Sequence, residues 1–109
     1  LFEYYKMLEK NKEMFDNALS IAKEIKNRAR KIFADCEVYI VGSYVKGTHT
    51  LSSDFDVLIV SDDIPEKMDF EWYRDTVKNL TDDHRINIHL LNKKKFKDLE
   101  KMYSPRLPV

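Results

Sequence analysis

Apolar residues recur at three- and four-residue steps through Leu1, Tyr5, Leu8, Phe15, Leu19, Ala22, Ile25, Ala29 and Ile32, with Lys and Glu crowding the other face. That is the helical period. It predicts an N-terminal helical region over residues 1–33, with Asn11 and Asn17 as points where it could break in two. The pattern then changes: Glu37 to Val41 is short, β-branched and ends at Gly42, which reads as a strand. A turn or short helix over Tyr44–Gly47 and a polar loop, Thr48–Ser53, lead to a second strand, Phe55–Ser61. Asp62-Asp63-Ile64-Pro65-Glu66 carries acidic cap candidates and an early proline, so a helix is expected to start there and run to about Leu80, with Tyr73, Val77 and Leu80 inward. Arg85 to Leu91 alternates Ile86, Ile88 and Leu90 against Asn87 and His89, a third strand. After Asn92 a last helix turns Phe96, Leu99 and Tyr103 inward, and residues 104–109 are expected as an extended tail. The order α-β-α-β-α-β-α predicts an α/β (α+β) fold over a single domain, residues 1–109, with helices packed on a small mixed sheet of three or more strands.

Composition narrows the partners. With 19 basic against 19 acidic residues, the chain has no global electrostatic claim on nucleic acid or on an anionic membrane. Cys36 is the single cysteine, so an internal disulfide and a thiolate metal cluster are both excluded, and a reducing cytoplasm is the expected compartment. No apolar run approaches the roughly 20 residues that span a bilayer, and the start lacks a signal-peptide pattern. The chain opens on Leu1 rather than Met, which leaves room for residues ahead of it.

The chemistry concentrates in one stretch. Ten residues separate Gly42-Ser43 from Asp54-Phe55-Asp56, which runs straight into the apolar Val57-Leu58-Ile59-Val60. On a strand, residues two apart share a face, so Asp54 and Asp56 converge. Carboxylates that close repel, and a divalent cation relieves the repulsion. Gly42 and Gly47, the chain's only glycines, both fall in this stretch, where close backbone approach or unusual dihedrals would need them. A Gly-Ser at the end of a strand is suited to holding phosphates.

This arrangement resembles the signature of the polymerase-β-type nucleotidyltransferases, and most nearly that of the prokaryotic minimal nucleotidyltransferases, over about Lys23 to Tyr103. The resemblance implies that Ser43 and the Gly42 backbone hold a nucleoside triphosphate, that Asp54 and Asp56 hold Mg²⁺ or Mn²⁺, and that Lys46 touches the phosphates. It implies transfer of a nucleoside monophosphate, AMP from ATP, to an acceptor hydroxyl. One position departs from the pattern. The family places a third carboxylate, general base and metal ligand, on the next core strand, where this chain has Asn87. An amide takes no proton, and losing a positioned base costs roughly 10²–10⁴-fold in rate. Asp82, Asp83 or His89 are the substitutes within reach of that strand. The alternative is a catalytically impaired nucleotide-binding or partner-binding protein: minimal nucleotidyltransferases often accompany a HEPN-domain protein, some as its antitoxin. The long N-terminal helix is then a candidate docking surface or dimer seam.

Other residues have competing readings. His49 either contacts a phosphate or is solvated, and Lys93-Lys94-Lys95 either steers an anionic acceptor or is a solvated helix start. Phe70, Trp72 and Tyr73 either stack on a base or belong to the core, and Cys36 reads as a small buried residue. Protein hydroxyls, RNA ends and small alcohols all remain open as acceptors.

Overall fold

The strand that organises the molecule is the one whose apolar run is unbroken. In the computed structural model, which describes residues 1–109, β2 (Phe55–Val60) lies inside a sheet whose strands run in the order Ile86–Leu91, β2, Glu37–Val41, Leu107–Pro108, and every residue of β2 except Asp56 is buried. A strand covered on both faces needs apolar side chains at successive positions, which is why Val57-Leu58-Ile59-Val60 does not alternate. β1 (Glu37–Val41) pairs antiparallel with it, and β3 (Ile86–Leu91) pairs parallel.

The chain begins with two helices, α1 (Phe2–Asp16) and α2 (Ala18–Ile32), broken at Asn17. Asn11, the other expected breaking point, lies inside α1 and is buried. On one face of the sheet, Val38, Ile40, Phe55, Val57, Ile59, Ile86, Ile88 and Leu90 pack with Met14 and Phe15 of α1, with Ala18, Ala22, Ile25 and Ala29 of α2, and with Leu80. The small alanines let α2 approach the sheet closely. Each larger aliphatic buried here contributes about 1.5–3 kcal/mol of transfer free energy. The other face carries Val41, Leu58, Val60 and Leu91 under Phe96, Leu99 and Tyr103, the inward stripe expected of the last helix. No helix is long and apolar enough to cross a membrane.

Three expectations change. The first half of α1 is not core: Leu1, Phe2, Tyr4, Tyr5 and Met7 are exposed, and of this helix Met14 and Phe15 join the buried hydrophobic cluster. The next helix starts later than Asp62. Asp62–Asp69 forms turns anchored by fully buried Ile64, whose carbonyl accepts from Asn92 Nδ2 at 3.0 Å. After α3 (Ser43–Lys46), α4 therefore runs Phe70–Leu80, with Asp69 as its N-cap accepting from the Trp72 amide at 2.8 Å. Along α4, Leu80 is buried, while Tyr73 and Val77 pack half-buried on the core as expected. Finally, residues 104–109 are not merely a tail. After α5 (Lys93–Leu99) and a 3₁₀ turn, Leu107–Pro108 forms β4, an edge strand antiparallel to β1. The proline fits there because its missing N–H costs an edge strand nothing if it faces away from the ladder.

Candidate active site

The register sets Val41, Asp56 and Asn87 side by side across three strands. They lie at the open end of the face that α5 covers, where β1 ends and β2 and β3 begin. Gly42 follows Val41 and turns the chain with φ 79°, in the left-handed region, and α3 begins at half-buried Ser43. A Cβ at Gly42 would stand 3.0 Å from Asp56 Cγ and closer to Oδ2, so only glycine leaves that carboxylate its place. Gly47 closes α3 with φ 72°. Lys46, on the same short helix, is exposed.

Asp56 is the best held of the candidates. Its Oδ1 accepts from Asn87 Nδ2 at 3.1 Å and lies 3.1 Å from His89 Nε2. His89 Nδ1 lies 3.3 Å from the Tyr103 hydroxyl. One tautomer satisfies this chain: Nε2–H donates to Asp56, and Nδ1 accepts from Tyr103. Burial, and then the negative charge of Asp56, push the Tyr103 phenol above its ordinary value, which keeps it a proton donor. With both ring nitrogens engaged, His89 supports Asp56 rather than standing free as a base. Asp54, by contrast, precedes β2 and is exposed.

Of the two acidic substitutes for the third carboxylate, Asp83 is committed elsewhere and Asp82 is exposed. Asp83 makes a fork with Arg85, Nη2 to Oδ2 at 2.6 Å and Nε to Oδ1 at 2.9 Å, and the guanidinium holds its carboxyl below the usual range. Asp82 lies 4.0 Å from Arg28 of α2, which packs on the opposite face of the sheet from Asp56.

Oxygen donors of this kind suit a hard divalent cation. No three His, Cys, Asp or Glu side chains converge to hold a metal by themselves. The expected pairing of Asp54 and Asp56 on one strand face does not hold, because Asp54 lies ahead of β2; a divalent ion held by these two carboxylates would need substrate phosphates and water to complete its shell.

The comparisons with known proteins agree with this fold. The family model of the nucleotidyltransferase domain matches residues 22–106. The chain belongs to this family. A solved structure of a candidate nucleotidyltransferase is 30% identical, with the match covering 80% of this chain and 95% of that one at a TM-score of 0.59. A candidate nucleotidyltransferase from Sulfolobus solfataricus has the same fold at 21% identity and a TM-score of 0.59, covering 94% of this chain and 84% of that one. No curated protein matches in sequence. The resemblance to the minimal polymerase-β-type nucleotidyltransferases thus stands.

The other residues of the nucleotidyltransferase domain that carried competing readings are placed as follows. His49 is half-buried, its ring 4.6 Å from that of Phe15 and 5.1 Å from that of Tyr44. Lys93 pairs with Asp35 at 2.6 Å and Lys94 lies 3.8 Å from Glu66, so the lysine run is partly neutralised. Trp72 and Tyr73 pack on the core, whereas Phe70 is exposed; Cys36 is half-buried beside the core. Sequence pattern alone does not mark Arg85, Asn11 or Tyr103 as site residues. The pairing of Asp83 and Arg85 two positions apart was the one available signal.

Proposed function

We propose that this domain transfers a nucleoside monophosphate, AMP from ATP, to an acceptor hydroxyl and releases pyrophosphate. The observation that carries the reading is the placement of Asp56 against Cβ-less Gly42, in register with Asn87, at the sheet end where the Gly42-Ser43 turn sits. The acceptor oxygen bonds to the α-phosphorus as the bridge to the β-phosphate breaks, and the bond's electron pair leaves with pyrophosphate. Ser43 and the Gly42 backbone hold the triphosphate, and Lys46 offsets its charge. Asp54 and Asp56 hold Mg²⁺ or Mn²⁺, which supplies charge neutralisation on the phosphates. His89 and Asn87 fix the Asp56 carboxylate. Asn87 takes no proton, so the acceptor's proton passes to solvent and turnover is slow.

Asn87 also favours a second reading, a nucleotide-binding protein whose role lies in binding a partner such as a HEPN-domain protein. Label transfer from α-labelled ATP, with γ-labelled ATP as control, separates the two. Transfer of the α-label alone, lost in Asp56→Asn, supports catalysis. A rise in melting temperature with MgATP but no label transfer supports binding without turnover. If MgATP neither transfers label nor shifts melting at about 100 times a plausible dissociation constant, where stabilisation should be about 2.7 kcal/mol, both readings fail.

A further inference from the structure

Asp54 is exposed, so its direction is set by the backbone on either side of it, and one residue grips both sides. The Arg85 carbonyl accepts from the amide of Phe55, the residue after Asp54, at 3.2 Å. The Arg85 guanidinium donates through Nη1 to Asn11 Oδ1 at 3.0 Å, and Asn11 Nδ2 donates to the Leu51 carbonyl at 2.7 Å. Between Leu51 and Asp54 the loop is internally tied: the Ser53 amide donates to Thr50 O at 3.1 Å, and Ser53 Oγ accepts from the Thr50 amide at 2.9 Å. The position of Leu51 is therefore passed to Asp54 with little slack.

Asn11 is 7% exposed, and both ends of its amide are used. A buried amide costs desolvation that packing alone would not require, and an apolar residue would have served the core as well. Arg85 is in turn oriented by its fork to Asp83. The grip thus runs from Asp83 through Arg85 and Asn11 to the loop, joining α1 to the candidate metal site.

We propose that Asn11 and Arg85 are positioning residues that aim Asp54 at the cation on the bound triphosphate. This rests on the nucleotidyl-transfer reading. Groups that orient metal ligands from outside the coordination shell change metal affinity by about 10–100-fold.

The test is Mn²⁺ binding followed by electron paramagnetic resonance, with saturating α,β-methylene-ATP, which cannot be split at the α–β bridge. Asn11→Asp retains an acceptor for Arg85 but loses the N–H donated to Leu51. Arg85→Gln removes the guanidinium while its backbone carbonyl stays. The expected result is Mn²⁺ affinity lower by about 10-fold in each variant, with circular dichroism unchanged and with Lys12→Gln, on the exposed face of α1, binding as wild type. Wild-type affinity in folded Asn11→Asp and Arg85→Gln overturns the positioning role and leaves nucleotidyl transfer standing. Absence of Mn²⁺ binding by the wild type overturns that reading and the positioning role with it. If Asn11→Asp does not fold, Arg85→Gln, whose side chain is 39% exposed, decides alone.

Discussion

Gly42 and the Asp56 carboxylate share a space that holds one of them only if the other has no side chain. A Cβ at position 42 would lie 3.0 Å from Asp56 Cγ, on a backbone whose φ of 79° already disfavours any other residue. Gly42→Ala should therefore displace Asp56 and reduce nucleotidyl transfer by about 100-fold, the scale of an ångström's misplacement. Gly47→Ala meets the same backbone penalty at φ 72° but nothing within 4 Å of the added Cβ. It should lower melting temperature with a much smaller loss of activity. Equal activity losses in both would sink the argument.

Asn87 donates to the carboxylate it neighbours, and an aspartate there could not. Without metal, Asn87→Asp should melt at a lower temperature than wild type, through repulsion from Asp56. With Mg²⁺ and ATP the order should reverse, and turnover should rise by at least about 10-fold as a base is restored. Melting curves with and without MgATP, beside label transfer, check both; a metal-independent melting temperature in the variant would speak against a shared cation.

The Asp83–Arg85 fork makes a prediction about acid stability. The fork depresses the Asp83 carboxyl below its ordinary 3.8 when folded. A depressed carboxylate contributes stability above its unfolded value and loses it as pH falls through the folded one. Wild type should thus lose an increment of stability on acidification below about pH 4. Asp83→Asn should be less stable at pH 7 and show a shallower loss over that acid range. Melting temperatures from pH 7 to pH 2 read this directly, and parallel curves would remove the fork from the account.

The two ends of α1 should respond differently to substitution. Phe2 is 71% exposed, so Phe2→Lys should change stability by no more than about 0.5 kcal/mol. Phe15 is buried, with ring contacts to Tyr44, His49 and Phe55, so Phe15→Ala should cost about 3–5 kcal/mol. Because those rings hold α3 and the loop to the core, activity should fall as well. Urea denaturation of each variant gives the comparison.

What could be read along the chain was what is local. The Gly42-Ser43 and Asp54-Phe55-Asp56 spacing, the unbroken run of β2 and the alternation of β3 are properties of neighbouring residues, and they determined the family, the existence of the three central strands and the place of Asn87 on the third; their order and pairing came from the fold. The helix periods of α2 and α5 were legible in part: Ala22, Ile25 and Ala29 of α2 and Phe96 and Leu99 of α5 face the sheet as expected, whereas Leu19 and Ile32 are exposed.

Only tertiary structure decided what depends on partners far apart in sequence. The periodicity of α1 is continuous, but in the fold Met14 and Phe15 join the core while Leu1 and Tyr5 are exposed. Leu107–Pro108 has no strand character until β1 offers it an edge, and the start signal at Asp62 is overridden by the burial of Ile64. His49 finds its rings, and Arg85 finds Asn11, 74 positions away in the chain, only once the helices have docked. A sequence pattern records which face a residue prefers; which neighbour occupies that face, and so which carboxylate is locked and which is left exposed, follows from packing.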